Sequence, residues 1–396
     1  MPASPSTARA INDRLALRLL QDKGPLTAGQ LKTLTGLSRP TVADLVERLQ
    51  GSGLVHVVGE VGEQRRGPNA RLYGIVADRA HLAALDVRTQ GVSVVVADLL
   101  GATLADATLP IGTDTGTEPA VERAVALLER TAREAGVARL HSVGVGAPGL
   151  IDPVTGELRD STGLPAWHRR LVAALQERLP ATVLVENETN LAAVAEQRLG
   201  AARDRDTFIL LWLGQGIGAA LFLDGRLRRG TSGGAGEIGF LPVPGTGGLP
   251  SADGCDGGFH SLAGGAAVAR LAERYGIQGD AEHAVRAAAA AVPDRSGAPL
   301  PGPAPAEAFL GALAERVAIG VAATVAVLDP GCVVLGGEIG HAGGAALATR
   351  VERRLGEMSP LRTEVRPGAL GGAGVLRGAL LTAREAAQDD LYTSVR

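Results

Sequence analysis

Cysteine is nearly missing from this chain. The two present in 396 residues, Cys255 and Cys332, are too few for a disulfide framework. Aromatic residues make up 3%, which leaves little with which to stack the bases of a single-stranded nucleic acid. The amino terminus lacks the basic-then-apolar run of a secretory signal, and no run of about eighteen uninterrupted apolar residues suggests a membrane span. The expectation is a soluble, cytoplasmic protein with no membrane partner. Net charge is small as well, −3 at neutral pH, but that sum conceals a division. Residues 1–80 carry eleven Lys plus Arg against seven Asp plus Glu, a net of +4, while residues 81–396 carry twenty-eight against thirty-five, a net of −7. Local fields steer partners, so a polyanion is expected at the amino-terminal part. A hydrophobic content of 45% over this length suffices for two or three folded units.

Residues 27–53 read as a helix-turn-helix. An apolar-periodic helix with Leu31 and Leu34 breaks at Gly36. A second helix opens at Ser38, a good N-cap, with Pro40 in the first turn where its missing N–H is harmless. It buries Val42, Leu45, Val46 and Leu49 and leaves Arg39, Thr41, Asp44 and Arg48 facing outward. Such a surface suits a major groove, the first side chains reaching base edges and later cations reaching phosphates. A strand over 53–58 and its return over 72–76 flank a basic tip holding Arg65, Arg66 and Arg71, which reads as a wing. Helix-turn-helices also occur as plain packing units, and that alternative stays open here. The expected DNA-binding set is Ser38, Arg39, Pro40, Thr41, Asp44, Arg48, Arg65, Arg66 and Arg71.

Beyond the wing the texture changes. Apolar β runs over 82–85, 92–97, 142–145, 183–185, 208–212 and 219–223 alternate with helical patterns over 119–135, 166–177 and 191–199, and a late helix over 306–327 feeds a strand over 332–335. This rhythm predicts an α/β domain with parallel strands. Many of the fifty-five glycines fall at strand ends, where backbone must approach something closely. The Pro- and Gly-rich stretch 291–305 reads as a surface loop without chemical residues.

Five motifs stand in order along this domain: Val143-Gly144-Val145-Gly146-Ala147-Pro148-Gly149, Glu186-Asn187-Glu188-Thr189-Asn190, Gly214-Gln215-Gly216-Ile217-Gly218, the stretch from Gly230 to Glu237-Ile238-Gly239, and Asp329-Pro330 followed by Leu335-Gly336-Gly337. Together they resemble the signatures of the ROK family of repressors, open reading frames and sugar kinases, and the winged module resembles that of the family's transcriptional repressors. The resemblance implies two actin-like α/β lobes around a sugar cleft, assembled as a homodimer or homotetramer. The expected division is a winged helix-turn-helix domain over 1–80 and a kinase-like effector-binding and oligomerisation domain over 81–396.

Departures from the family pattern bear on activity. Family kinases open the domain with Asp-x-Gly-x-Thr, where a missing Cβ lets phosphates approach backbone amides; here Asp86-Val87-Arg88-Thr89-Gln90 sets a bulky cation at that place. The Gly-x-Gly-x-Gly over 214–218 is intact but weak evidence alone, since tight turns between paired strands use the same residues. The position that the resemblance gives to the catalytic Asp holds Glu188, one methylene longer, and a misplacement of about 1 Å can cost on the order of 10²-fold. Many family members carry a structural zinc on one His and three Cys; those positions here are Phe240, Ser251, Asp253 and Gly258, so no tetrahedral N/S set and no metal are expected. The same alignment sets His260 where the kinases have a sugar-contacting Glu. A small-molecule effector such as a sugar or sugar phosphate is expected at Asn187, Glu188, Glu237 and His260, polar groups able to orient a polyol; the lesser alternative is that Asn187 and Glu237 merely cap turns.

The sequence thus points to a non-enzymatic DNA-binding regulator, most simply a repressor, acting on a palindromic double-stranded operator and needing no cofactor. The alternative is a sugar kinase, or a kinase and repressor in one chain.

Overall fold

The computed structural model describes residues 5–61, 69–112, 114–159, 164–251, 257–292 and 304–393. The amino-terminal unit consists of α1 (Pro5–Lys23), β1 (Leu26–Thr27), α2 (Ala28–Thr35), α3 (Arg39–Gly51), β2 (Val55–Val61) and β3 (Ala70–Ile75). A capping box starts α2: the Thr27 hydroxyl accepts from the Gln30 amide (3.2 Å) and the Gln30 carbonyl oxygen accepts from the Thr27 amide (2.8 Å). Gly36, at φ 71°, stops it in the left-handed conformation that glycine adopts without steric cost. Strands β2 and β3 pair antiparallel with a bulge between Val57 and Gly59, and β1 adds to the other edge of β3. The expected helix-turn-helix and wing strands are therefore present. Leu34 departs from expectation, being 43% exposed. Helix α2 has only two turns, and the apolar places beside Leu31 are filled from the following turn by Leu37.

The body has two lobes of like topology. The first contains β4 (His81–Arg88), β5 (Gly91–Asp98), β6 (Thr103–Pro110), α4 (Thr117–Glu134), β7 (Ser142–Ala147), α5 (Ala166–Arg178), β8 (Thr182–Asn187) and α6 (Glu188–Leu199). The second contains β9 (Phe208–Leu213), β10 (Ile217–Leu223), β11 (Arg226–Arg228), α7 (His260–Ala263), α8 (Gly265–Arg274), α9 (Ala281–Ala291), α10 (Ala304–Leu328), β12 (Cys332–Gly336), α11 (Gly337–Met358, kinked at Gly344) and β13 (Glu364–Pro367). Sheet orders are β6-β5-β4-β7-β8 and β11-β10-β9-β12-β13, so each lobe runs third, second, first, fourth, fifth. The sheets are mixed, which corrects the expectation of parallel strands. In each lobe the first three strands are antiparallel and only the last two join in parallel. Short turns cause this: Thr89-Gln90 and Gly214-Gln215-Gly216 leave no length for a crossover helix, which a parallel pair requires.

The last helix, α12 (Gly374–Thr393), returns to the first lobe and lies on β4, β7 and α6. Two glycines permit the approach: a Cβ at Gly144 would collide with the Ala379 carbonyl, and one at Gly378 with the Leu191 carbonyl. The far end of α12 meets the amino-terminal unit. Leu17 and Leu20 of α1 share one buried cluster with Leu99, Ala383, Ala387 and Tyr392, so apolar packing continues across residue 80. Helix α10 is long and apolar enough by composition to cross a membrane, with a mean hydropathy of 1.7 over its richest window. In this fold it is a core helix of the second lobe. Phe309, Leu313, Val317, Val321 and Val325 are buried at successive turns, and Glu307, Glu315 and Arg316 interrupt the apolar run. Apart from its ends, the stretch 291–305 lies outside the described residues.

Candidate DNA interface and effector site

Helix α3 presents its first turn to solvent. Ser38 is its N-cap: the hydroxyl accepts from the Thr41 amide (3.3 Å) and shares a hydrogen bond with the Thr41 hydroxyl (2.7 Å). Arg39 and Pro40 are exposed and Thr41 half-buried, while Val42, Leu45, Val46 and Leu49 close the core beneath them. Arg71 is exposed on β3, opposite Glu60 of β2. Arg65 and Arg66 lie outside the described residues.

Arg48 does not face outward as expected. Its guanidinium donates to both oxygens of Asp13 on α1 (2.6 and 3.4 Å) and also pairs with Asp44 one turn back. Asp13 is 2% exposed. The reason is packing: a buried carboxylate needs a cation, and Arg48 is the α3 side chain placed to supply it. Asp44 is thereby drawn into the same group rather than left free. The pair ties α1 to the recognition helix, and the sequence reading did not identify Asp13.

The four expected effector residues gather along the seam between the lobes. Asn187 is the N-cap of α6, its Oδ1 accepting from Thr189 and Asn190 (2.8 and 3.3 Å) while its Nδ2 donates to the Gly149 carbonyl (2.9 Å). Most of its hydrogen-bonding capacity is therefore spent within the fold. Two contacts bring the loop after β11 onto this region. Arg229 pairs with Glu186 (2.5 Å), and Gly233 lies so close to the Ile151 carbonyl that a Cβ would overlap it. Glu237 ends that loop, accessible to solvent, and surrounding protein raises its carboxyl above the ordinary range. Its neighbour Gly239 leaves room for the His260 ring. The Ile217 amide donates to His260 Nδ1 (3.3 Å), which fixes that nitrogen as an acceptor, and burial lowers the imidazole's pKa. His260 is thus a neutral ring whose proton sits on Nε2, the edge turned toward Gly239.

Glu188 opens α6 within electrostatic range of Asp86, Arg88 and Glu338. Burial is the main cause that pushes its carboxyl up to about 8; Asp86 and Glu338 add to this and Arg88 opposes it. Burial raises Asp86 as well, against the pull of Arg88, and its Oδ1 has no hydrogen-bond partner among the described residues. Arg88 is the centre of this group. Its Nε donates to Asp86 Oδ2 (2.9 Å) and its Nη1 to Glu338 Oε1 (2.5 Å), so one guanidinium joins β4 of the first lobe to the start of α11 in the second. Burial alone would depress Arg88; Asp86 and Glu338 more than offset it. His168, held neutral by burial with a pKa of about 4, donates from Nε2 to the Arg88 carbonyl (3.3 Å). Glu338 follows the Gly336-Gly337 motif directly, and Asp13 lies on α1, on a different helix from Arg48. Neither has a partner that can be read without the fold.

Of the positions compared with a zinc site, Phe240 stands edge-on to His260 with ring centroids 5.4 Å apart. Asp253 and Cys255 lie outside the described residues.

Comparison with known proteins follows the same division. The ROK family model matches residues 82–386, and a winged helix-turn-helix DNA-binding model matches residues 9–56. The chain is 29% identical over 243 residues to the N-acetylglucosamine repressor of Escherichia coli O157:H7, a match covering 59% of this chain and 58% of that protein. The chain thus spans less than two thirds of that relative's length. Among solved structures, a ROK family transcriptional regulator, homolog of the E. coli MLC protein, superposes with a TM-score of 0.75 at 21% identity, covering 97% of this chain and 98% of the other. At that identity the likeness is one of fold. The ROK hexokinase of Thermus thermophilus gives a TM-score of 0.60 at 30% identity, covering 77% of this chain and 99% of the enzyme.

Proposed function

Because the chain belongs to the ROK family and carries a winged helix-turn-helix ahead of the kinase-like body, we propose that it is a DNA-binding transcriptional repressor that senses a sugar or sugar derivative without phosphorylating it. In this reading residues 1–80 engage DNA, and residues 81–396 hold the effector and assemble the protein into a homodimer or homotetramer. Two recognition helices about 34 Å apart, or a multiple of that, would then match a palindromic operator.

Arg88 carries the non-enzymatic part. An enzyme that transfers a phosphoryl group needs clearance for phosphates at the turn after β4, and here the turn is occupied by a side chain ion-paired to both lobes. Glu188, beside it, has its carboxyl pushed up to about 8 by burial, so the protonated form prevails at pH 7, and it is displaced by one methylene from the position of a base, which takes it out of line with a hydroxyl proton. It is well suited to donate a hydrogen bond to a ligand.

Contiguous packing supplies a route from that site to DNA. Helix α6, which begins with Glu188, packs along α12. Helix α12 packs against α1, where Arg14 donates to the Thr393 hydroxyl (2.6 Å), and Asp13 of α1 holds Arg48 of the recognition helix. An effector that prefers one lobe closure would bias the placement of α3 through these elements, because coupling needs differential binding to two states. The N-acetylglucosamine repressor of Escherichia coli O157:H7, 29% identical over 243 residues, supports the reading as a relative.

The second reading, a working sugar kinase, has the hexokinase likeness in its favour. ATP turnover against a panel of hexoses and N-acetylhexosamines decides between them. The repressor reading expects no phosphorylation above a protein-free control. Robust turnover that disappears in Glu188→Gln would overturn it.

A further inference from the structure

A cavity in the carboxy-terminal lobe, of about 460 Å³, is lined by Ser261, Ala267, Arg270, Glu273, Arg274 and Arg316. Three guanidinium groups from two helices therefore share one hollow: Arg270 and Arg274, a turn apart on α8, and Arg316 on α10. Among the described residues none of the three forms an ion pair; Arg316 is half-buried, and Arg270 and Arg274 are exposed. Glu273, on the rim, reaches none of them within ion-pair distance. Arg316 is anchored by Nη1, which donates to the Leu262 and Ala267 carbonyls (3.1 and 3.4 Å), and its Nε and Nη2 have no partner among the described residues. The Ser261 hydroxyl donates to the Gly258 carbonyl (2.9 Å), so the donors left for a ligand are the arginines.

Burial, followed by the repulsion of Arg274 and Arg270 and partly opposed by Tyr275, holds the Arg316 guanidinium below its ordinary value. Three guanidinium groups beside a single carboxylate, Glu273, leave the hollow net positive, and an anion offsets that charge. Guanidinium N–H groups match phosphate oxygens in paired geometry, and the cavity is several times larger than a phosphate group needs. It falls within the size range of pockets for small molecules.

We propose that this cavity is a binding site for the phosphate group of a small phosphorylated metabolite, separate from the seam that holds the effector residues. The site does not depend on the regulatory reading, since it uses none of the seam residues. It adjoins them through α7, a single turn in which His260 faces Ile217 and Gly239 and the next residue, Ser261, lines the cavity. An occupant would thus touch the element that sets the His260 ring.

Calorimetric titration of the full chain with inorganic phosphate, at fixed ionic strength in a chloride buffer, tests this. The expected result is saturable binding of one phosphate per chain, with a hexose 6-phosphate competing and the unphosphorylated hexose not competing. Arg316→Ala should weaken phosphate binding by about tenfold or more, as should Arg270→Ala combined with Arg274→Ala. The rim pair is exposed and makes no ion pair, so the double variant keeps the fold and carries the test if Arg316→Ala does not. Absence of saturable binding, or unchanged affinity in the rim variant, would overturn the proposal. So would displacement of phosphate by random-sequence duplex DNA with loss of that displacement in the rim variant, which would assign the patch to nucleic acid.

Discussion

Glu188→Gln gives the seam a quantitative test. The carboxyl lies at about 8 in the fold against an ordinary 4.5, so between those values the native state holds a proton that the unfolded chain has released. The stabilising contribution is fully present below about 4.5 and is lost as pH rises through about 8. At about 1.4 kcal/mol per pH unit, this interval sets a ceiling near 5 kcal/mol; water reaches the half-buried side chain and screening reduces the expectation to about 2 kcal/mol. Gln keeps the shape and cannot ionise. Wild type and variant should therefore match at pH 5, and the variant should be the more stable by about 2 kcal/mol at pH 8.5. Asp86 is raised in the same electrostatic group, so the difference belongs to the coupled carboxylates rather than to Glu188 alone. His168, lowered to about 4, acts in the opposite sense, with stability lost as pH falls, and cancels because both proteins contain it. Urea unfolding at half-unit steps from pH 5 to 9 is the assay. A difference that stays constant with pH, or a variant that is the less stable at pH 8.5, would refute the electrostatic account of the seam.

Three further outcomes concern DNA. Arg39→Ala, at the exposed first turn of α3, should cost about 1–3 kcal/mol on the preferred duplex and much less on scrambled DNA, measured by fluorescence anisotropy. Arg65→Ala with Arg66→Ala should flatten the slope of log affinity against log salt by about two phosphate contacts, and an unchanged slope would remove the wing tip from the interface. Arg48→Ala should leave that salt slope unchanged but destabilise the amino-terminal unit by about 3–5 kcal/mol in urea, since it strands the buried Asp13, and adding Asp13→Asn should recover part of the loss.

Local rules made the helix-turn-helix legible. Ser38, Pro40, Gly36 and the 3.6-residue spacing of Val42, Leu45, Val46 and Leu49 are signals contained within a few residues. The ordered glycine motifs located the seam for the same reason. Elements set by distant partners were not legible. Helices α1 and α12 owe their positions to each other, strand β6 is a largely exposed edge with Asp106 amid its apolar residues, and α11 contains glycines that read as loop. The mixed sheets were missed because apolar alternation says nothing of strand direction. Ion pairs distant in sequence decided the rest: Arg48 with Asp13, and Arg88 with Glu338 across 250 residues. An expectation that treats every exposed-face arginine as a ligand for an external anion fails where the fold has buried a carboxylate beneath it. Arg48 is that case, whereas Arg39 keeps its exposure.

The central claim is that the chain reads DNA sequence, and the direct measurement is binding of the full-length protein to a duplex from its own promoter region and to a scrambled duplex of the same composition, across salt concentrations. The account predicts affinity for the promoter duplex on the order of 10³-fold tighter or more, with binding to both falling steeply as salt rises. Equal affinity for the two duplexes at every salt concentration, or no binding to either, would contradict it.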